Sequence, residues 1–239
     1  MKWNQQSERD RIIVALDCPA DEAIVLGEKL TGHASWVKVG MTLYYAVGPA
    51  IIHDFHKLGF KVFVDLKLHD IPHQVQGAAA SVAAAGADLM TVHASGGEAM
   101  MAAAVKGAGS GARQNGRETP LICGITVLTS MDAETLASVG VADETAVQVN
   151  RLASLAKQAG LDGIVCSPQE AAAMRELLGP DATIVTPGVR PAGASLGDQS
   201  RVATPAAAFG AGASHLVIGR PITQAADPVA AFEEIVASL

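Results

Sequence analysis

Two carboxylates and an amine stand close together in the segment DLKLHDIP, at residues 65–72. Asp65, Lys67 and Asp70 could together hold a charged ligand and move a proton, as general acids and bases do. Alternate side chains of a strand share a face, so Asp65 and Lys67 are predicted to point the same way as Phe63. Opposite charges turned toward the inside of a fold are expensive to desolvate, which favours a catalytic over a purely structural role.

Two further charges follow the same alternation in earlier segments. In IIVALD the side chain of Asp17 shares a face with that of Ala15, and in WVKVG that of Lys38 shares a face with that of Trp36. We expect Asp17 and Lys38 to meet the three charges of DLKLHDIP at one cavity. One inward charge would be weak evidence for a site, whereas five charges from three consecutive strands favour catalysis.

The strands that would position these charges recur along the whole chain. Apolar, β-rich runs alternate with segments rich in Ala, Leu and Glu, at residues 11–17, 36–41, 61–68, 88–94, 121–129, 163–167, 183–189 and 215–220. Eight β–α units predict an α/β fold, a single (β/α)8 TIM barrel domain over residues 1–239, with its site at the C-terminal face of the strands. A doubly wound open sheet is the main alternative, but no GxGxxG turn follows the first run.

The last two units suggest an anion site. The seventh run is followed by Arg190, and the eighth ends in Gly219-Arg220. Barrels often hold a phosphate near these two loops, where a glycine allows close backbone approach and an arginine can make a bidentate contact. The long, Gly-rich segment at about 190–201 is predicted to form a mobile lid over the site.

Other polar residues fall near the same predicted mouth. Thr129 and Ser130, at the end of the fifth run, could donate hydrogen bonds to a ligand carbonyl or simply cap the next helix. His69 and His93 are also close, but the chain has no HxH pair on a strand and no HExxH motif. We therefore expect structural histidines and no metal.

Composition excludes several classes of function. The net charge is −7 and no basic run is present, so we expect no binding to nucleic acid or to an anionic membrane. No stretch of 18 apolar residues lacks charge, so no membrane span is expected. Three widely spaced cysteines without a CxxC pair favour free thiols and a reducing cytoplasm.

At these motifs the chain resembles a known family. DLKLHDIP is similar to the DxKxxDIP signature of the orotidine 5′-phosphate decarboxylase family, and IIVALDCP, VKVGMTLYY, TVHASGG, VLTSM, TPGVRP and VIGRPI resemble other segments of that family in order. DxKxxD alone also occurs in sugar-phosphate relatives, so the specificity lies in the whole set. The resemblance implies decarboxylation of orotidine 5′-phosphate to UMP without a cofactor, the last step of de novo pyrimidine synthesis, by a cytoplasmic homodimer.

The resemblance also implies a role for each matched residue. Lys67 would protonate C6 of the pyrimidine, and Asp65 would lie beside the departing carboxylate. Lys38 and Asp70 would complete an alternating Lys–Asp–Lys–Asp array, with Asp70 supplied by the other subunit of a dimer. The substrate-binding residues would be Asp17 and Lys38 at the ribose, Thr129 and Ser130 at the pyrimidine, and Arg190, Gln199, Gly219 and Arg220 at the phosphate.

One departure and two alternative functions remain. Many family members have Asn-Thr after DIP, where this chain has His73-Gln74, so a contact from position 74 across the dimer is in doubt. A sugar-phosphate enzyme that stabilises an enediolate with Mg²⁺ is one alternative, and Lys38 argues against it because a cation there would disfavour a metal. The other is a catalytically inactive scaffold barrel, but none of the five charges is missing.

Overall fold

A computed structural model describes residues 3–190 and 203–239. Eight parallel strands pair in chain order and close into a barrel, with the last strand hydrogen-bonded to the first. The strands are β1 Ile12–Ala15, β2 Trp36–Gly40, β3 Lys61–Leu68, β4 Leu89–His93, β5 Leu121–Ile125, β6 Gly163–Val165, β7 Thr183–Thr186 and β8 His215–Ile218. The predicted (β/α)8 barrel is confirmed.

Helices surround the barrel and alternate with the strands. They are α1 Ala20–Leu30, α2 Met41–Val47, α3 Ala50–Lys57, α4 Pro72–Ala85, α5 Glu98–Gln114, α6 Ala133–Ser138, α7 Thr145–Gln158, α8 Ala171–Leu178, α9 Pro205–Gly210, α10 Arg220–Thr223 and α11 Pro228–Ala237. Short 3₁₀ turns lie at Trp3–Gln5, Arg9–Arg11 and Ala94–Gly96. Proline opens α4 and α11, where the missing N–H costs no helical hydrogen bond.

The apolar core has two parts, separated by the strands. The larger part fills the space between barrel and helices and includes Val14, Val37, Val39, Val62 and Val64. A smaller cluster fills the barrel interior, and its members are Ile13, Ala15, Trp36, Phe63, Leu89, Cys123, Val185 and Val217. The predicted alternation of inward and outward side chains on the first three strands is confirmed at these positions.

Several strands end earlier than the apolar runs predicted. β1 ends at Ala15, two residues before Asp17, and β5 ends at Ile125, four residues before Thr129. Polar residues at the ends of the runs therefore lie on the loops that follow the strands. This places them at the C-terminal face, where loop backbone can shape a site.

Helices α4 and α5 pack with their backbones in direct contact. A Cβ atom built on Gly107 would lie 2.1 Å from the carbonyl oxygen of Gln76, and one built on Gly111 would lie 2.1 Å from that of Ala80. Only glycine permits this approach. The contact fixes α4, whose first residue lies two positions after Asp70.

Candidate active site

A cavity opens at the C-terminal ends of the strands. Its volume is about 720 Å³, and residues of β1, β2, β3, β5, β6 and β8 line it together with the loop that follows β7. Its floor is apolar, because Phe63, Ala15 and Val217 of the inner cluster lie there. A ligand in this cavity would rest on apolar side chains and meet polar groups on the walls.

Four charged side chains form a continuous chain across the cavity. Lys38 Nζ donates to Asp17 Oδ1 at 2.7 Å and lies 3.7 Å from Asp65 Oδ2. Lys67 Nζ donates to that same Asp65 oxygen at 2.8 Å. The side chain of Lys38 is 8% exposed, and that of Asp17 is 59% exposed. The row of charges is therefore buried at Lys38 and open to solvent at its Asp17 end. Positive and negative groups alternate along its whole length.

Asp65 is held as a carboxylate although it is buried. Burial alone raises its pKa, but the charges of Lys38 and Lys67, with hydrogen bonds from Lys67 and Thr91, outweigh that effect and leave the pKa below its ordinary value. The centre of the chain therefore carries a full negative charge between two lysines. A buried charge of this kind persists only while its partners stay in place.

The end of β3 departs from a regular strand where it carries Lys67. Val64 is opposite Met90 of β4, but Leu68 is opposite Val92, so four steps along β3 match two steps along β4. Lys67 has a φ of 52°, and it is the one non-glycine residue with positive φ in the described part of the chain. Left-handed backbone is unfavourable for a lysine and marks a locally imposed conformation.

Gly40 leaves room for the charged pair at the other end of the chain. A Cβ atom built on Gly40 would lie 2.5 Å from Asp17 Oδ1 and 3.0 Å from Lys38 Nζ. The backbone there is extended, a conformation open to any residue. Glycine is therefore required for space and not for its conformation.

Asp70 does not join the other four charges. Its side chain is exposed, it is absent from the cavity wall, and its Oδ1 accepts the N–H of Ile71 at 2.6 Å. The expectation that five charges of one chain converge is therefore wrong for Asp70. The physical reason is that β3 ends at Leu68, so strand alternation no longer sets the direction of residue 70.

The remaining predicted binding residues are distributed unevenly. Thr129, Arg190, Gly219 and Arg220 line the cavity, whereas Ser130 is exposed and lies outside its wall. Arg190 also donates from Nη1 to the carbonyl of Val189 at 2.9 Å. Gln199 and the predicted lid, apart from Arg190, fall outside the described residues.

The two histidines near the mouth pack on each other beside the cavity. The ring centroids of His69 and His93 lie 5.1 Å apart, and neither ring lines the cavity wall. Burial, followed by the charges of His69 and Lys67, lowers the pKa of His93.

Within residues 3–190 and 203–239, no group of three or more His, Cys, Asp or Glu side chains is arranged to hold a metal ion. No described helix is both long and apolar enough to cross a membrane.

A sequence model described as "Orotidine 5′-phosphate decarboxylase / HUMPS family" matches residues 10–235. The chain belongs to this family. A protein of Moorella thermoacetica named orotidine 5′-phosphate decarboxylase is 50% identical over 235 residues, which are 97% of this chain and 92% of the relative. One of Anaeromyxobacter dehalogenans with the same name is 51% identical over 231 residues, 96% of this chain and 98% of the relative.

Solved structures agree with this family assignment. An orotidine 5′-phosphate decarboxylase from Lactobacillus acidophilus has a TM-score of 0.83 and 39% identity, and the match covers 95% of this chain and 97% of that one. The two chains therefore share the barrel fold over nearly their full lengths.

Two residues of the site were not singled out from the sequence. Thr91 of β4 is 1% exposed, and its hydroxyl contacts both Asp65 and Lys67. Gly40 gives space to the pair at the opposite end. Alternation from Leu89, which lies in the inner cluster, could have indicated that Thr91 points inward.

Proposed function

We propose that the protein decarboxylates orotidine 5′-phosphate to UMP and CO₂ without a cofactor, the last step of de novo pyrimidine synthesis in the cytoplasm. Family membership and the names of relatives at about half identity support the reaction. The observation that carries the mechanism is the alternating chain Asp17–Lys38–Asp65–Lys67 across the cavity.

Lys67 is the proton donor in this proposal. When the bond between C6 and the carboxylate carbon breaks, the electron pair stays on C6, in an orbital that the pyrimidine ring cannot delocalise. An ammonium fixed beside C6 stabilises that charge and then gives C6 a proton, leaving a neutral amine. The left-handed backbone and the contact with Asp65 supply the fixed position that this role requires.

Asp65 favours departure of CO₂. Because its carboxyl group is ionised, a substrate carboxylate placed against it is repelled, by roughly 4 kcal/mol at 4 Å and an effective dielectric constant of about 20. The repulsion disappears as neutral CO₂ forms. The same carboxylate holds Lys67, so one group acts on both the leaving group and the acid.

The rest of the substrate fits the polar wall. Asp17 and Lys38 hold the ribose hydroxyls, and Thr129 on the cavity wall holds the pyrimidine; Ser130, exposed outside that wall, joins it only if its side chain turns inward. Arg190, Gln199, Gly219 and Arg220 hold or cover the phosphate. Two arginines on the wall of a cavity in a protein of net charge −7 favour an anionic ligand at that end. Phosphate binding there can drive closure of the predicted lid at about 190–201.

A homodimer completes the site. Asp70 is exposed outside its own cavity, and it is followed by Ile71, which is 64% exposed, and by the exposed His73 and Gln74. We infer that this edge meets a second copy and brings Asp70 to the neighbouring site, where it extends the array beyond Lys67. The pair His73-Gln74 puts a contact from position 74 across the dimer in doubt, but it leaves the array of charges unchanged.

The decisive experiment follows the ultraviolet absorbance of orotidine 5′-phosphate with purified, EDTA-treated protein. We expect loss of the orotate absorbance at an unchanged rate after chelation. No turnover would contradict the reaction, and turnover lost to EDTA but restored by Mg²⁺ would contradict its independence of metal. Lys38 already occupies the space between Asp17 and Asp65, which supports the metal-free alternative over an Mg²⁺-dependent sugar-phosphate enzyme.

Mixing two inactive variants tests the shared site. Asp70→Asn and Lys67→Ala should each be nearly inactive alone, but exchange of subunits should restore about a quarter of wild-type activity, because half the dimers are mixed and half of their sites are whole. Activity is measured after re-equilibration, with exchange shown by a mass tag on one variant. Exchange without recovery would place Asp70 in its own subunit's site.

A further inference from the structure

We propose that Thr91 is a positioning residue, whose hydroxyl holds Lys67 and Asp65 in the relative orientation that proton delivery requires. The inference rests on the proposed function, since it concerns how the acid of that reaction is held. Thr91 itself does not line the cavity, so it acts through its two neighbours.

The hydroxyl of Thr91 joins the backbone of one charged residue to the side chain of the other. Thr91 Oγ1 accepts the N–H of Lys67 at 3.0 Å and donates to Asp65 Oδ1 at 2.9 Å. The residue is 1% exposed, so water does not compete for these bonds. A hydroxyl has a single proton to donate, and here it goes to the carboxylate.

The contact lies where β3 and β4 lose their regular pairing. Between the pairs Val64–Met90 and Leu68–Val92, the longer stretch of β3 faces Thr91 alone. The N–H of Lys67 bonds to the threonine hydroxyl in place of a strand carbonyl. A left-handed lysine is unfavourable by itself, and this hydrogen bond is a local interaction that holds it.

The same hydroxyl also fixes the rotation of the Asp65 carboxylate. Oδ1 is bound by Thr91, which leaves Oδ2 to face Lys67 at 2.8 Å and Lys38 at 3.7 Å. Without the hydroxyl, the carboxylate can turn and the backbone of Lys67 can relax. Both changes move the ammonium away from one defined position.

The test compares Thr91→Val, which keeps the shape and removes the hydroxyl, with Thr91→Ser, which keeps the hydroxyl. Thr31→Val is the control, because the Thr31 hydroxyl donates to the carbonyl of Gly27 at 3.0 Å at the C-terminal end of α1, and neither residue lines the cavity. We expect Thr91→Val to lower kcat for orotidine 5′-phosphate by about 10- to 100-fold with little change in KM. Thr91→Ser should retain most of kcat, and Thr31→Val should match wild type.

A pH profile separates positioning from general loss of stability. The bond from Thr91 lowers the pKa of Asp65, so its removal should move the acid limb of kcat/KM to higher pH in Thr91→Val but not in Thr91→Ser. Wild-type kcat in folded Thr91→Val, or equal losses for Val and Ser, would overturn the proposal. Should Thr91→Val not fold, Thr91→Ala against Thr91→Ser makes the same comparison, since these two differ only in the hydroxyl.

A failure of the proposed function can be distinguished from a failure of the positioning role of Thr91. A wild-type protein that leaves orotidine 5′-phosphate unchanged contradicts the reaction, whatever Thr91 does. The positioning claim is then decided by crystal structures of wild type and Thr91→Val. A left-handed Lys67 still in contact with Asp65 in the variant would overturn it, and a relaxed Lys67 would support it.

Discussion

The barrel interior has an apolar half and a charged half, built on the same strands. Trp36 and Phe63 belong to the inner apolar cluster, yet Lys38 and Asp65, each two residues further along, belong to the charged chain. A distance of two residues along each strand, about 7 Å, therefore separates hydrophobic packing from ion pairs. The two halves allow burial and charge to be compared within one scaffold.

A buried titratable group is present in each half, and the two behave in opposite ways. Asp65 keeps its charge at the upper end because two lysines and Thr91 surround it. His215, at the start of β8, loses its charge, because burial, followed by the charges of Arg11 and Lys61, lowers its pKa to about 3. In the described chain, neither His215 Nε2 nor the nearby Trp36 Nε1 has a hydrogen-bond partner. The comparison shows that partners decide whether a buried group is ionised.

The largest effect is expected from removing the ammonium group of Lys67, the proposed acid of the charged half. Lys67→Ala should lower kcat by at least about 100-fold while the barrel still folds, because the other ammonium near Asp65, that of Lys38, lies 3.7 Å away and donates to Asp17. Steady-state turnover of orotidine 5′-phosphate and circular dichroism measure the two outcomes.

Lys57→Ala is the matched control for this loss. Lys57 Nζ pairs with Asp54 at 3.0 Å on the exposed face of α3, and neither residue lines the cavity. It should keep wild-type activity. More than about a tenth of wild-type activity in Lys67→Ala would contradict the assignment of the acid.

A smaller effect should follow from adding one methyl group at the open end of the charged chain. Gly40→Ala would press on Asp17, whose side chain is exposed and free to move, so the Asp17–Lys38 contact is lost at little cost in stability. We expect kcat/KM to fall about tenfold, chiefly through KM, as one charge-assisted contact is worth about 1.5 kcal/mol.

Gly210→Ala provides the reference for that substitution, because a Cβ atom there meets nothing within 4 Å. Its kinetics should equal those of wild type. An unchanged KM in Gly40→Ala would mean that the Asp17–Lys38 pair does not hold substrate.

The fold could be read from the sequence because its signals are local. Each apolar run marks one strand, and alternation within a run assigns Ile13, Trp36 and Phe63 to the interior. The predicted ends of the strands were less accurate. The apolar run at 121–129 continues past Ile125, although the backbone leaves the sheet there. The point at which hydrogen bonding between strands ends depends on the neighbouring strand, so the sequence of one segment does not reveal it.

The site was only partly predictable, for a related reason. The positions of Lys38, Asp65 and Lys67 follow from parity within β2 and β3, whereas Asp17 lies two residues past the end of β1 and still keeps the predicted side. The left-handed Lys67 and its bond to Thr91 depend on the register between β3 and β4, two segments more than twenty residues apart. Asp70 lies past the last residue of β3, where parity gives no direction.

The last effect is on stability and not on activity, and it concerns the apolar half and its neutral histidine. Above about pH 6.5 His215 is neutral in both states, but below that pH the unfolded chain binds a proton that the folded chain refuses until about pH 3. Stability should therefore fall by about 1.4 kcal/mol per pH unit on this account as the pH drops through that window. His215→Gln lacks the proton, so its urea-unfolding free energy should fall less steeply than that of wild type between pH 6.5 and 5, a difference of about 2 kcal/mol over the interval. Above pH 7 the two curves should run parallel. Equal slopes below pH 6.5 would mean that His215 takes up its proton in the folded barrel, and the contrast between the two halves would not hold.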